Sequence, residues 1–265
     1  MPRDLKIVYY VEADAAALAA RAAERFVELT EQAVAARGQA RIAISGGSTP
    51  KAAFRLMGDP GQPWRARMPW DKIDLWWVDE RCVPPGDPDS NYRMTREALL
   101  DHVPLAPGQN HRMEGELEPE KAAARYEAEL RSGFRLEGAE LPRFDVLQLG
   151  MGPDGHTVSL FPHSLALHEM SRLVTANKVE GVKDSLRITL TRPVINNAAE
   201  VFFLIGGADK AQILKEVMLG PRDEERLPSQ LIHPENGILT LLLDRAAAAL
   251  LPPPDAQGCG ILERN

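Results

Sequence analysis

The stretch RIAISGGSTP, residues 41–50, decides the architecture. Arg41 to Ser45 reads as an apolar strand, and Gly46 and Gly47 let the backbone turn with no Cβ in the way. Thr49 stands where an N-cap belongs and Pro50 where the first helical residue belongs. A strand that runs through a glycine turn into a helix is half of a βαβ unit. The alternation continues toward the N-terminus. Lys6 to Val11 reads as a strand. Asp14 to Arg37 reads as a helix, because Leu18, Ala22, Phe26, Leu29 and Ala33 recur at helical spacing and Gly38 is placed to end it.

Toward the C-terminus the spacing predicts strands at Ile73 to Val78, Phe144 to Leu149, Leu173 to Ala176, Leu186 to Leu190, Val201 to Ile205 and Ile238 to Leu243. Helices are predicted from Ser90, as cap, to Asp101, from Pro119 to Arg131 with Gly133 as the stop, and from Asp209 to Leu219. A short helix is expected at Arg245 to Leu250. Residues 79–90, 102–117 and 220–236 read as irregular. Continuous apolar strands flanked by helices are what a parallel sheet covered on both faces requires. The expected fold is therefore a doubly wound, mostly parallel α/β sheet with helices on both faces, a Rossmann-like three-layer arrangement. Residues 1–265 are expected to form a single domain.

Composition removes several classes of function. The 265 residues carry a net charge of −7, which argues against non-specific nucleic-acid binding. No apolar run reaches the length of a membrane span, and Met1 to Leu5 lacks the apolar core of a secretion signal. The two cysteines, Cys82 and Cys259, make no disulfide framework, and a reducing cytoplasm is expected.

Five segments carry chemistry. The Ser45-Gly46-Gly47-Ser48-Thr49 turn offers free N–H groups, hydroxyls and a helix dipole to a small anion, and it matches neither the P-loop nor the dinucleotide pattern. Asp79-Glu80-Arg81 puts three charges directly after a buried-type strand, where they must be paired or at the sheet's rim. The loop after it brings Ser90-Asn91-Tyr92 back toward the same region. Gly150 to Thr157 (GMGPDGHT) sets Asp154 and His156 on a glycine-rich turn, and histidine suits general-base work near neutrality. Arg187 lies within an apolar strand and wants an anion. Lys210 follows Gly206-Gly207 near a helix N-terminus, where a bound phosphate would remove its conflict with the helix dipole. His156, His163 and His168 lack nearby acidic ligands, so no metal is expected. In open α/β sheets ligands bind outside the carboxyl ends of the strands. The segments at Ser45, Asp79, His156 and Lys210 all follow predicted strands, so parallel strands would bring all four to one rim, around an anionic small molecule.

SGGSTP (45–50), WVDERCVPPGDPDSNY (77–92), LGMGPDGHTVSLFP (149–162), RITLTRPVINNA (187–198) and GGADKAQIL (206–214) stand in the order of a known family. The chain resembles the 6-phosphogluconolactonases, within the superfamily shared with glucosamine-6-phosphate isomerase/deaminase. Val158 stands where alanine is expected. The resemblance implies hydrolysis of 6-phospho-D-glucono-1,5-lactone to 6-phosphogluconate in the oxidative pentose phosphate pathway. It implies His156 as the base that activates water and Asp154 as its orienting partner. It further implies Ser45 to Thr49, Arg187 and Lys210 as the phosphate grip, with Asp79 and Arg81 at the sugar end. No cofactor or metal is implied, the partner is a sugar-phosphate lactone, and the chain is expected to act as a monomer or weak homodimer. Two other functions fit the superfamily: isomerisation and deamination of glucosamine 6-phosphate, and non-enzymatic sugar-phosphate sensing. Phe161 stands where the deaminases carry an acidic residue, and Arg81 stands in place of their tyrosine. A sensing regulator would need a DNA-binding segment, and only about five residues precede the first strand here.

Overall fold

Apolar side chains spaced for strands and helices assemble as expected into an α/β structure. A computed structural model describes residues 5–181 and 183–264. Residues 1–4, part of the stretch read against a secretion signal, lie outside the described residues. The strands are β1 (Leu5–Glu12), β2 (Ala40–Ile44), β3 (Ile73–Trp77), β4 (Asp79–Arg81), β5 (Asn110–His111), β6 (Val146–Leu149), β7 (Val174–Lys178), β8 (Leu186–Leu190), β9 (Glu200–Ile205), β10 (Ile238–Asp244) and β11 (Cys259–Arg264). The helices are α1 (Ala15–Arg37), α2 (Ser48–Gly58), α3 (Pro63–Arg67), α4 (Asn91–Ala98), α5 (Pro119–Phe134), α6 (Arg192–Asn196) and α7 (Ala211–Leu219).

Eight strands form the main sheet in the order β11-β1-β10-β9-β6-β2-β3-β5. Every neighbouring pair is parallel except β1 with β11. The sheet is covered on both faces. Successive residues of a strand point to opposite faces, and β3 shows both: Trp76 meets Tyr126 and Phe134 of α5, while Trp77 meets Tyr92 of α4. On the α4 side, α1 packs against α2, and Phe26 bridges Phe54 of α2 and Phe202 of β9. The buried apolar residues form one connected core running from Ile7 to Leu262.

The structure departs from the sequence reading in several places. Helix α2 starts at Ser48, with Gly47 as its cap at φ 120°, so Thr49 and Pro50 sit inside the first turn. Only glycine holds that φ cheaply, and the glycine rather than the threonine therefore sets the start. Gly133 lies within α5 instead of stopping it. A Cβ there would lie 2.9 Å from the Trp76 ring, and the helix ends at Arg135 in the left-handed region. Helix α4 ends at Ala98, and a separate 3-10 turn spans Leu100–His102. Residues 102–117 include the two-residue strand β5, which pairs with β3. The expected helix at Arg245 to Leu250 is a run of turns leading into Pro252 to Pro254, whose residues lack the N–H a helix would need. Finally, β7 and β8 do not join the parallel sheet. They form a small antiparallel sheet with β4, in the order β4-β8-β7. The charged Asp79-Glu80-Arg81 segment is thus itself a strand, and β11 completes the far edge of the main sheet.

Candidate active site

Strands β2, β3, β6 and β9 run parallel, so the segments that leave them emerge on one rim. They enclose a cavity of about 240 Å³. Its wall holds Ser45, Gly46, Gly47, Ser48 and Thr49 after β2, Asp79 and Arg81 after β3, His156 after β6, and Lys210 after β9. Of the residues given a site role by the resemblance, Asp154 and Arg187 are the two that are not on the wall.

Asp154 lies behind His156. Gly155, at φ 81°, folds the chain back, and the Gly152 N–H donates to the His156 carbonyl at 2.8 Å. This turn brings Asp154 Oδ1 to 3.1 Å from the His156 N–H and 2.5 Å from its Nδ1. The carboxylate assigns the proton of the neutral ring to Nδ1, which leaves Nε2 as the basic nitrogen. Burial pushes the Asp154 carboxyl up, but the hydrogen bonds and charge of His156 outweigh it and hold it below the usual carboxylate range. The imidazole stacks on Phe161, with ring centres 4.0 Å apart and planes at 23°. Gly152 packs so closely that a Cβ there would lie 2.1 Å from His156 Nδ1 and Cε1. The next turn places Val158, a cavity residue, at φ 49°, a strained conformation for a β-branched side chain.

The three charges of β4 divide by the strand's alternation. Glu80 is 2% exposed and caps α4: it accepts from the N–H groups of Asn91 and Tyr92, each at 2.8 Å, from the Arg81 N–H at 2.7 Å and from the Ser90 hydroxyl at 3.1 Å. Burial pushes its carboxyl up, and these N–H donors work against the rise. Asp79 faces the cavity. Its Oδ2 accepts from the Ser159 hydroxyl at 2.7 Å, and its Oδ1 accepts from Asn91 Nδ2 at 3.2 Å. Arg81 is held through Nη1, which donates to the Asp89 carbonyl at 2.5 Å.

The first turn of α2 lines the same cavity. No side chain caps its N–H groups, so they are available to an anion. Ser45 is committed elsewhere, since its N–H and its hydroxyl both donate to Gln148 Oε1 at 3.1 Å. Lys210 is mostly buried, with Nζ 3.4 Å from Asp209. Arg187 pairs across the small sheet with Arg81. It is 8% exposed, donates through Nη2 to the Lys183 carbonyl at 2.9 Å, and has a buried Nε without a partner. Burial and the neighbouring Arg81 lower its pKa.

Sequence reasoning missed Ser159 and Gln148, noted Asn91 only as part of a returning loop, and singled out Phe161 without its stacking on His156. Gln148 lies just outside the quoted motifs, and nothing in the sequence of 149–162 sets Ser159 apart. They matter only because the fold turns them toward Asp79 and Ser45. His168 pairs with Glu225 at 3.1 Å. Among the described residues no group of three or more His, Cys, Asp or Glu side chains is arranged to hold a metal ion, and no helix is long and apolar enough to cross a membrane.

Residues 13–241 match the model of the family described as glucosamine-6-phosphate isomerases/6-phosphogluconolactonase. The chain is 42% identical over 84% of its length to a 6-phosphogluconolactonase of Synechocystis sp., covering 89% of that protein. It is 41% identical over 90% of its length to one of Nostoc sp., covering 95% of that protein. A 6-phosphogluconolactonase structure from Trypanosoma brucei superposes with a TM-score of 0.79 at 28% identity, covering 92% of this chain and 98% of that one.

Proposed function

The chain belongs to the glucosamine-6-phosphate isomerase/6-phosphogluconolactonase family, and from that premise we propose that His156 is the general base of its lactonase site. The chain is an enzyme that hydrolyses 6-phospho-D-glucono-1,5-lactone to 6-phospho-D-gluconate. In our reading, the 6-phosphate rests on the first turn of α2 and on Lys210. That remote binding energy fixes the lactone carbonyl near His156. The Nε2 of His156 takes a proton from water as its oxygen bonds to C1, and the carbonyl π electrons move onto the carbonyl oxygen. The oxyanion collapses, the bond from C1 to the ring oxygen breaks, and the imidazolium returns its proton to that oxygen. The resulting acid then ionises. Asp154 keeps the ring in the required tautomer and steadies the imidazolium. Arg81 stabilises the oxyanion or the product carboxylate, while Asp79 accepts from a sugar hydroxyl. Arg187 supports the phosphate end through its charge.

The observation that carries this reading is the 2.5 Å Asp154–His156 contact on the wall of the same cavity as an uncapped helix N-terminus and Lys210. Isomerisation and deamination need a carboxylate free to move a carbon-bound proton. Here Phe161 stands where the deaminases carry an acidic residue and stacks on His156; it cannot relay a proton, which favours hydrolysis. Two free thiols fit a cytoplasmic setting. The test is His156→Gln in a coupled assay with freshly generated lactone. Turnover should fall by about 10²–10⁴-fold above the spontaneous rate with the fold unchanged by circular dichroism. Near-full activity of the folded variant would overturn the assignment.

A further inference from the structure

Asn91 stands between Asp79 and the Gly46 turn. It is 3% exposed and lines the cavity. Its Nδ2 donates twice to one residue, at 3.0 Å to the Asp79 carbonyl and at 3.2 Å to Asp79 Oδ1. Its Oδ1 presses on the phosphate-side turn, where a Cβ on Gly46 would lie 1.9 Å from it. Its backbone is held independently: the N–H donates to Glu80, and the carbonyl accepts from the Thr95 hydroxyl at 3.0 Å. The side chain is therefore not needed to hold α4. What it contacts is Asp79 on one side and Gly46 on the other.

We propose that Asn91 is a positioning residue for the lactonase reaction, setting the Asp79 carboxylate at a fixed distance from the phosphate-binding turn, with Ser159 fixing the second carboxylate oxygen. This rests on the lactonase reading above. The chemistry follows from hydrogen-bond capacity. A carboxylate is an acceptor only. With a donor on each oxygen, Asp79 keeps one orientation, and its remaining lone pairs are left for a substrate hydroxyl. Loss of the amide frees the carboxylate to rotate and opens space beside Gly46, so a substrate anchored by its phosphate loses its alignment at the sugar end. Misplacement on this scale costs far more in turnover than in anchoring.

The experiment is a double-mutant cycle in the coupled lactone assay, combining Asn91→Ala with Asp79→Asn. Asn91→Ala alone should lower kcat about ten- to a hundred-fold and change KM by less than about three-fold. In the Asp79→Asn background the same substitution should cost less than about two-fold, because the carboxylate it orients is already gone and only its bond to the residue 79 backbone carbonyl is left to lose. Asn91→Asp supplies a second readout. Two adjacent carboxylates cannot both ionise freely, so the variant should regain activity toward acidic pH relative to wild type, where a shared proton restores the donor. Additive losses in the cycle, or an Asn91→Asp pH profile parallel to that of wild type, would refute the proposal. If Asn91→Ala does not fold, Ser159→Ala is put through the same cycle, and additivity with Asp79→Asn again refutes it. A wild-type protein that leaves lactone opening at the spontaneous rate would instead refute the underlying reading.

Discussion

Replacing Gly152 with alanine should disable His156 without touching it. Gly152 is absent from the residues with positive φ, so its backbone accepts a side chain. The obstacle is the imidazole. The new Cβ would lie 2.1 Å from His156 Nδ1 and Cε1 and 2.8 Å from Asp154 Oδ1, against an ordinary contact of 3.4 Å or more. The ring must therefore retreat by at least 3.4 − 2.1 = 1.3 Å. The ring cannot retreat toward Phe161, which already stacks on it at 4.0 Å. It must swing out, and the 2.5 Å link to Asp154 breaks. A misplacement of about 1 Å costs on the order of 10²-fold in rate, and the whole contribution of a general base is about 10²–10⁴-fold. We expect kcat to fall about 10²-fold or more, with KM within about three-fold because the α2 turn and Lys210 are untouched. The assay is coupled hydrolysis of fresh lactone, corrected for spontaneous opening. In the His156→Gln background Gly152→Ala should add almost nothing. A Gly152→Ala enzyme with wild-type kcat would show that the ring need not sit where the structure has it, and the geometric argument would fail.

Lys210→Ala should raise KM at least ten-fold with a smaller change in kcat, and unphosphorylated gluconolactone should be a poor substrate of the wild type; equal kcat/KM for the two lactones would contradict the phosphate grip. Purified protein should release no ammonia or fructose 6-phosphate from glucosamine 6-phosphate, and turnover of that substrate without acceleration of lactone opening would reverse the functional ranking. His111 carries a separate pH prediction. Burial disfavours its charge, but Asp74 and Glu129 outweigh burial and raise it to about 9. Its folded pKa thus exceeds the ordinary imidazole value of about 6.5, so its contribution is complete below about pH 6.5 and is lost as pH rises through 9. After allowance for partial solvent screening this amounts to roughly 1–2 kcal/mol. The stability gap between wild type and His111→Gln, from urea melts, should shrink between pH 6 and pH 9.5, and a constant gap would contradict it.

The parallel core was legible because buried strands such as Phe144 to Leu149 and Val201 to Ile205 announce themselves by continuous apolarity. The shared rim was legible because glycines and charges follow directly on those strands. Asp79-Glu80-Arg81 hid its strand character for a physical reason. No periodicity reveals a three-residue strand of charges whose partners are the α4 N-terminus, Asn91 and Ser159. Gly133 read as a helix stop because its real constraint, the Trp76 ring, is distant in sequence. Arg187 lies in a strand, as its apolar neighbours imply, and it is buried there. That its cross-strand neighbour is another arginine, Arg81, depends on a register that sequence spacing does not contain.

The strand order has a consequence for when the enzyme can first hold its ligand. In the main sheet β6 lies between β2 and β9, so the turn at Ser45 and Lys210, 165 positions apart, face each other only after both flanking pairings exist. Such distant closures are slow to form. During synthesis, which proceeds at roughly 5–20 residues per second, a nascent chain has half of the proposed phosphate grip until β9 and the residues beyond it have emerged. Bound sugar phosphate stabilises only the state that binds it. It can therefore protect the finished protein from unfolding and proteolysis, but it offers no help to the chain still being made.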